Sequence, residues 1–298
     1  MTTTSPYVEC AAMPGSHVSF EGFEGVILAA EVWGEPDARP VLFLHGGGQT
    51  RHSWGSTAKF VADHGWRAIT LDLRGHGDSE WAGNGDYSFT AFGADCIAVV
   101  DQLGQPPVLV GASLGGISAL LAEGTSDRTV SAGLVLVDIA PHANPEGVKR
   151  IHNFMKSGLD GFETLEDAAA AIKAYTPHRQ RRTDVDGLKK VLRYRDNRWY
   201  WHWDPQTINQ ERTEVVAQRF EGLLEFALGN VSVPTLLVRG MMSDVVTDEG
   251  IEHLKVRLPH VKVVDVAGAA HMIAGDQNDA FSKAVIQFLN ESIVGPEA

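Results

Sequence analysis

The chain contains little cysteine and no long apolar run. Only two cysteines occur among its 298 residues, Cys10 near the start and Cys96 on the apolar side of a predicted helix. This count excludes a disulfide framework and a cysteine-based zinc site. No stretch approaches the length needed to span a bilayer, and residues 1–20 lack a basic start followed by an apolar run. We therefore expect a cytoplasmic location, no secretory signal and no membrane partner.

Positive charge is also scarce. The chain has 25 Lys and Arg residues against 38 Asp and Glu residues, a net charge of −13. Such a balance repels nucleic acid and anionic membrane surfaces, so we expect no nucleic-acid partner. With 44% hydrophobic and 21% charged residues, the composition is that of a globular chain with a large core. Composition leaves open whether the chain is a monomer or a homo-oligomer.

The most informative segment is Gly111-Ala112-Ser113-Leu114-Gly115, which follows the apolar run 107–110 and precedes a helical pattern. A buried strand that leads through Gly-x-Ser-x-Gly into a helix is typical of the nucleophile elbow of serine hydrolases. The serine of an elbow sits on a sharp turn, where side chains two positions away would collide unless they were small. The following helix brings its positive N-terminus close to the serine, where an oxyanion would be stabilised.

A glycine-rich loop lies upstream of this segment. The apolar run 41–44 reads as a buried strand, and it ends in His45-Gly46-Gly47-Gly48. In serine hydrolases such a loop turns a backbone N–H toward the nucleophile and completes the oxyanion hole. The pattern therefore predicts that both halves of an oxyanion hole are present.

Together with further ordered motifs, these segments resemble the α/β-hydrolase superfamily over nearly the full length of the chain. The further motifs are Asp72-Leu73-Arg74-Gly75-His76-Gly77-Asp78-Ser79, Gly240-Met241-Met242-Ser243-Asp244 and Gly268-Ala269-Ala270-His271. The order serine, acid, histidine is the order that this fold uses. Within the superfamily the chain is similar to serine-nucleophile esterases and to cofactor-free haloperoxidases. The resemblance implies an α/β fold with a mostly parallel central sheet, flanking helices and a helical cap insertion.

The periodicity of the chain agrees with such an architecture. Buried strand patterns alternate with helical patterns up to residue 141 and again from residue 231, which indicates a mainly parallel sheet covered on both faces. We assign 1–141 and 231–298 to the core and 142–230 to an inserted cap, which the resemblance implies is a roof over the active site. The cap shows helical patterns and no good strand. Its basic residues are interpreted as a solvated helix face: Arg179, Arg181, Arg182, Lys189, Lys190, Arg193, Arg195 and Arg198.

The catalytic roles follow from the chemistry of a weak nucleophile. Ser113 needs a base to take its proton, and His271 is the only one of twelve histidines in the expected place. The imidazole in turn needs a carboxylate. Asp244 is preferred by its position in the chain, and Asp138 is the alternative because some relatives place the acid on that strand. The oxyanion hole implied by the resemblance is formed by the N–H groups of Gly47 and Leu114, with Gly48 as the alternative to Gly47.

Other polar motifs are assigned to structure. His45, His76 and the segment 72–79 resemble tight loops that support the sheet edge in this superfamily. A phosphate site would require the lysine and spacing of a P-loop, which are absent. No histidine pair has metalloenzyme spacing, so we expect no metal and no cofactor.

An aromatic run in the cap is the main candidate for substrate binding. Trp199, Trp201 and His202 fall in it, and with Gly46 and Gly48 they form the predicted substrate pocket. The alternative, which we prefer for the tryptophans, is that they fasten the cap to the core.

The sequence therefore predicts a serine hydrolase that acts on small carboxylic esters or lactones through an acyl-enzyme. A carbon–carbon bond hydrolase or a cofactor-free haloperoxidase on the same fold is the alternative within enzymology. A small-molecule receptor that has kept the fold without turnover is the alternative of another class. Epoxide hydrolases and haloalkane dehalogenases use aspartate at the elbow, so the serine at position 113 argues against them.

Overall fold

A computed structural model describes residues 15–176, 184–208, 214–271 and 278–294. Within these ranges the strands are β1 Ser16–Glu21, β2 Ile27–Trp33, β3 Pro40–Leu44, β4 Arg67–Leu71, β5 Val108–Ala112, β6 Gly133–Val137, β7 Leu192–Arg195, β8 Arg198–Trp201, β9 Thr235–Gly240 and β10 Lys262–Val266. The α-helices are α1 Gly55–Asp63, α2 Phe89–Asp101, α3 Leu114–Thr125, α4 Pro145–Lys156, α5 Leu165–Tyr175, α6 Glu214–Asn230, α7 Asp248–Arg257 and α8 Asn278–Phe288. No helix in the described ranges is both long and apolar enough to cross a membrane.

Eight strands form one sheet in the order β1-β2-β4-β3-β5-β6-β9-β10. The first two pairs, β1 with β2 and β2 with β4, are antiparallel, and every later pair is parallel. The predicted α/β fold with its mostly parallel sheet is thus confirmed. Parallel strands bring their carboxyl ends to one edge, so the loops that follow β3, β5, β6 and β9 gather there.

Alternate residues of the central strands face two separate cores. In β3, Leu42 and Leu44 belong to one buried cluster, whereas Val41 and Phe43 belong to the other. All four side chains are fully buried. A strand that is covered on both faces must be apolar at every position, which is why these strands appear in the sequence as continuous apolar runs.

Helix starts agree with the sequence pattern. The side chains of Ser88, Thr164 and Thr247 accept N–H bonds at the N-termini of α2, α5 and α7. Thr164 and Asp167 cap each other's backbone reciprocally, as the predicted capping box requires. Cys96 is buried in α2 as a free thiol, and burial raises its pKa. The capping residues therefore fix where the helices begin.

The inserted segment differs from the prediction in one respect, because it contains a two-stranded antiparallel sheet. β7 and β8 pair across Asp196 and Asn197, whose φ values of +48° and +61° suit a two-residue hairpin turn. The expectation of a cap without strands is therefore wrong. Because basic residues occupy several positions of the hairpin, its sequence does not show the alternation of apolar and polar residues that predicts a strand.

The basic run is accordingly not one solvated helix face. Lys189 and Lys190 end a 3₁₀ turn, and Arg193, Arg195 and Arg198 lie on the hairpin. Arg193 contacts Asp78 of the core, and Arg195 lies over the Tyr200 ring. Arg179, Arg181 and Arg182 lie outside the described residues. The arginines of the hairpin thus serve contacts within the cap and with the core.

Helix α6 packs on the core. An ideal Cβ placed on Gly124 of α3 would lie 2.2 Å from the carbonyl oxygen of Ala227, so the two helices touch backbone to backbone. Leu224, Ala227 and Leu228 are buried in the larger of the two core clusters. The end of the predicted cap segment thus contributes to the core, and the division at residues 141 and 230 stays a prediction.

A buried hydrogen bond fastens the cap to the core. The Tyr87 hydroxyl donates to Asp204 Oδ2 at 2.6 Å, and the Asp204 N–H donates to the Gly75 carbonyl at 2.7 Å. The Tyr87 ring and Asp204 are both almost fully buried. This pair joins the residues after the hairpin to the loop after β4.

We expect Tyr87→Phe to lower the free energy of unfolding by about 1–3 kcal/mol, because it leaves a buried carboxylate oxygen without its donor. Equilibrium unfolding in urea measures this loss. Tyr194→Phe is the matched control, since the Tyr194 side chain is 58% exposed, and its effect should stay within about 0.5 kcal/mol. Equal stability of both variants would show that the Tyr87 contact does not hold the cap.

Candidate active site

The nucleophile elbow has the predicted geometry. Ser113 lies between β5 and α3 with φ +47° and ψ −114°, a conformation that a non-glycine residue rarely adopts. An ideal Cβ on Gly111 would lie 2.3 Å from the Gly115 carbonyl oxygen, and one on Gly115 would lie 2.2 Å from that of Leu44. No side chain fits at either position. The turn is therefore possible only with glycine on both sides of the serine.

A buried carboxylate lies against the predicted base. His271 Nδ1 is 2.7 Å from Asp138 Oδ2, and Asp138 is fully buried at the end of β6. Asp138 also has a positive φ of +51°. Because an ionised carboxylate only accepts hydrogen bonds, Nδ1 carries the proton and Nε2 is left free to act as a base.

His271 thus pairs with Asp138, the alternative acid, and not with the preferred Asp244. The preferred residue, Asp244, faces the cap, where its Oδ2 lies 2.7 Å from Nη2 of Arg150 on α4. In the same loop, the Ser243 side chain points toward Asp138, the residue that contacts His271. The Ser243 hydroxyl donates to Asp138 Oδ2 at 2.6 Å and accepts the N–H groups of Val245 and Val246. Position in the chain alone favours an acid on the loop after β9. In that loop, however, Ser243 contacts Asp138, whereas the next residue, Asp244, contacts Arg150.

Backbone contacts bring the elbow and the acid together. The Ser113 N–H donates to the Val137 carbonyl at 3.2 Å, and the Gly240 N–H approaches Asp138 Oδ1 at 3.3 Å. Since β5, β6 and β9 are neighbours in the parallel sheet, Ser113 and Asp138 sit at adjacent strand ends. His271 contacts Asp138 at this edge of the sheet.

The predicted oxyanion donors differ from the neighbouring glycines in their hydrogen bonding. In the described part of the chain, the N–H groups of Gly47 and Leu114 donate to no protein acceptor. The N–H of Gly46 donates to Gln49 Oε1 at 3.0 Å, and that of Gly48 donates to His76 Nε2 at 3.2 Å. Gly48, the alternative donor, is therefore already engaged. An ideal Cβ on Gly47 would lie 4.0 Å from Leu114 Cβ, so the two residues are neighbours.

Two buried histidines support the glycine-rich loop. His45 Nδ1 donates to the Gly46 carbonyl and its Nε2 accepts the Leu73 N–H, while His76 Nδ1 donates to the Arg74 carbonyl and its Nε2 accepts the Gly48 N–H. Each ring thus uses one donor and one acceptor, which requires the neutral form. Burial lowers the pKa of His45 to about 4 and that of His76 to about 3, and the other ring adds to the effect on His76. Their structural assignment is confirmed.

The segment 72–79 also has the structural role that its sequence predicts. Arg74 and Asp95 form a fully buried ion pair with two contacts, at 2.6 and 2.7 Å. Asp72 accepts the backbone N–H groups of Arg51 and Asp78 at 2.6 and 2.9 Å and also contacts the Arg51 guanidinium. These pairs fix the loop that carries His76. Through His76, whose Nε2 accepts the Gly48 N–H, they also support the glycine-rich loop after β3.

The predicted pocket residues separate into two groups. Gly46 and Gly48 lie in the oxyanion loop. Trp199 packs on the hydrophobic cluster inside the cap, and the Trp201 ring meets those of Phe154 and Phe162 edge to face. These contacts all lie within the segment 142–230, so the tryptophans pack the cap itself, and the preferred role of fastening the cap to the core is not what these contacts show.

His202 lies at the junction of cap and core. Its carbonyl accepts the Gly77 N–H at 2.7 Å, and burial together with the neighbouring Arg193 lowers its pKa to about 4. With Trp201 it borders a cleft of about 300 Å³ whose lining does not include Ser113. Trp201 and His202 thus border a cleft other than the one that Ser113 would need.

Two other cap residues lie over the oxyanion loop. An ideal Cβ on Gly47 would lie 3.9 Å from Met155 Sδ, and one on Gly48 would lie 3.7 Å from Trp203 Nε1. Sequence reasoning missed Met155, because a single methionine on an amphipathic helix carries no signal of its own. Its position depends on how α4 crosses the core. Met155 and Trp203 are thus the residues that the structure adds to the roof.

Comparison with known proteins shows the family of the chain. Residues 39–277 match the α/β hydrolase fold family, and the chain belongs to that family. It is 30% identical over 290 residues to esterase Rv0045c of Mycobacterium tuberculosis, covering 93% of this chain and 91% of the relative. It is also 28% identical to the non-heme chloroperoxidase CPO-A1 of Kitasatospora aureofaciens, covering 90% and 98%.

Solved structures show the same architecture. The crystal structure of esterase Rv0045c has a TM-score of 0.70 and 29% identity, covering 92% of this chain and 91% of that one. That of E-2-(acetamidomethylene)succinate hydrolase has a TM-score of 0.80 at 20% identity, covering 92% and 99%, and shows the fold alone. The chain is therefore an α/β-hydrolase.

We expect stability to fall as the pH drops below the ordinary histidine pKa of 6.5. The unfolded chain takes up protons there, whereas folded His45 and His76 stay neutral down to about pH 4 and 3. Each ring should lower the free energy of unfolding by about 2 kcal/mol between about pH 6.5 and 5. Urea unfolding at a series of pH values measures this loss.

The matched variants are His76→Gln and His64→Gln. Glutamine at 76 keeps an acceptor for the Gly48 N–H but does not titrate. The free energy of unfolding should therefore fall less steeply with decreasing pH, by the contribution of one ring. His64 lies on the exposed end of α1, and its replacement should leave the curve unchanged. An unaltered slope in His76→Gln would refute the neutral buried pair.

Proposed function

We propose that the protein is a serine hydrolase that cleaves small carboxylic esters through an acyl-enzyme on Ser113, with lactones as the next substrate class. The observation that carries the proposal is the pairing of His271 with buried Asp138 at the strand end adjacent to the elbow. The esterase named among the relatives supports the bond type. The 3-hydroxybutyrate-oligomer hydrolase of Cupriavidus necator, 26% identical over 277 residues, also supports it.

In the first half of the reaction, His271 Nε2 takes the proton of the Ser113 hydroxyl while Oγ attacks the ester carbonyl. The imidazolium that forms is stabilised by Asp138, whose orientation is held by the Ser243 hydroxyl and by the Gly240 N–H. His271 then returns the proton to the leaving alcohol. Water, activated by the same nitrogen, releases the acid in the second half.

Negative charge on the carbonyl oxygen is met by backbone donors. The free N–H groups of Gly47 and Leu114 are the pair that can receive it, and the N-terminus of α3 adds its positive dipole. One such donor contributes about 3–4 kcal/mol to the barrier in serine hydrolases. The His76–Gly48 bond fixes the loop that presents Gly47.

The roof favours an apolar acyl group. Met155 and Trp203 lie next to Gly47 and Gly48, and neither carries a charge that could bind an anionic substrate. A methionine side chain adapts to irregular apolar shapes, so we expect tolerance among short acyl chains. We place such a small-molecule substrate in the cytoplasm, where the unpaired Cys96 stays reduced.

The chloroperoxidase among the relatives supports one further activity, acyl transfer to hydrogen peroxide. The acyl-enzyme would then release a peracid in place of the acid, with the same residues in the same roles. Formation of peracid that requires both ester and Ser113 would support it.

The direct test is labelling of Ser113 by a fluorophosphonate together with release of nitrophenol from p-nitrophenyl acetate. We expect stoichiometric labelling of the wild-type chain, and a loss of about 10⁵-fold or more in kcat in Ser113→Ala. Ser19→Ala, at an exposed strand position, is the control and should match the wild type. Ligand binding without labelling or turnover would favour a receptor instead.

A second test separates the two acids. Asp138→Asn should lower kcat by about 10³–10⁴-fold, because an amide cannot stabilise the imidazolium or hold its tautomer. Asp244→Asn makes the same isosteric change on the loop after β9 and should cost less than about 10-fold, since only its contact with Arg150 changes. Steady-state kinetics on both variants decides, and a larger loss in Asp244→Asn would contradict the structural assignment.

A further inference from the structure

Two histidines and a glutamate form a cluster outside the catalytic residues. His142 follows β6, Glu225 lies on α6 and His253 lies on α7. His253 Nε2 is 2.6 Å and His142 Nε2 is 3.6 Å from Glu225 Oε1. One ligand atom from each residue lies within 4.8 Å of the other two. We name this group the His-Glu-His cluster.

We propose that the His-Glu-His cluster is a binding site for a divalent transition-metal ion of the zinc class. Two imidazole nitrogens and one carboxylate oxygen are a ligand set that zinc accepts, whereas calcium and magnesium prefer oxygen alone. Ligands about 2.1 Å from a tetrahedral ion lie about 3.4 Å from each other. The 3.6 Å separation already suits an ion, and the 2.6 Å contact has to open by less than an ångström.

The carboxylate is oriented for this role by a neighbour. Arg257 Nε lies 2.8 Å from Glu225 Oε2, and its Nη2 donates to the Glu225 carbonyl at 3.1 Å. The arginine thus holds one carboxylate oxygen and leaves Oε1 facing both histidines. Support of a ligating carboxylate by a second hydrogen bond is common at metal sites.

The site is accessible to an ion from solvent. The side chain of His142 is 49% exposed, that of His253 is 34% exposed and that of Glu225 is 26% exposed. Three protein ligands with an open side leave a fourth position for water. The centres of the two imidazole rings lie 4.5 Å apart in an edge-to-face arrangement, and the Nε2 atoms of both rings face Glu225 Oε1.

An ion here would join three separate parts of the fold. The ligands come from the β6–α4 connection and from two helices, so the unfolded chain holds no preformed site, and binding stabilises the folded state. His142 is four residues beyond Asp138 in the chain. The segment that leaves the catalytic carboxylate would thereby be clamped to α6 and α7.

The test uses the full-length protein without a histidine tag, and zinc chloride as the probe. Equilibrium dialysis should find one more zinc ion per chain in the wild type than in the double variant H142A/H253A. At a free zinc concentration about 100-fold above Kd, the melting temperature of the wild type should rise by about 4 °C, and that of the double variant should not. H17A/H64A removes two exposed histidines outside the cluster and should bind as the wild type does.

Two outcomes would overturn the proposal. One is equal zinc binding by wild type and double variant; the other is loss of the bound ion in His271→Ala, which would place it at the catalytic residues. If the double variant fails to fold, anomalous diffraction at the zinc edge from wild-type crystals locates the ion directly. A peak between His142 and His253 supports the site, and a peak elsewhere or none refutes it.

Discussion

The contact between His271 and the buried carboxylate of Asp138 is the interaction on which the rest of the site depends. It fixes which imidazole nitrogen carries the proton, and it ties a loop near the end of the chain to the middle of the sheet. A carboxylate with no exposed surface needs several donors, and the fold supplies the imidazole, the Ser243 hydroxyl and a backbone N–H from the neighbouring strand. Gly240 and Ser243 lie next to Asp138 because β6 and β9 pair in parallel register.

The oxyanion side of the site has a comparable support. Of the three consecutive glycines after His45, the first and third use their N–H groups within the protein, and the middle one, Gly47, is the proposed oxyanion donor. The acceptor for the third is a histidine kept neutral by burial. Because each ring uses one nitrogen as donor and the other as acceptor, neutrality of His45 and His76 is a structural requirement of the loop.

The cap combines two kinds of attachment. The hairpin β7–β8 and helix α5 form their own small hydrophobic cluster, whereas α6 returns to the core and packs against the helix that follows the elbow. The hydrogen bond between Tyr87 and Asp204 attaches the segment after the hairpin to the loop after β4. The roof residues Met155 and Trp203 are thus carried by elements that are anchored at several places, and α6 and α7 also present the two helical members of the His-Glu-His cluster.

The sequence by itself determined where the apolar strands, the elbow, the helix caps and the glycine-rich loop lie along the chain. Each of these features depends on residues that are close together in the chain. Gly111 and Gly115 show this well, since the steric demand of the turn is visible within five residues. The tertiary structure decided what depends on side-chain direction across distant segments: Asp138 in place of Asp244, the hairpin of the cap, Met155 over Gly47 and the meeting of His142 with His253. Local patterns record which residues can form a strand or a turn. They do not record which of two carboxylates on neighbouring loops points toward the His271 imidazole, because only the packing of the whole sheet sets that direction.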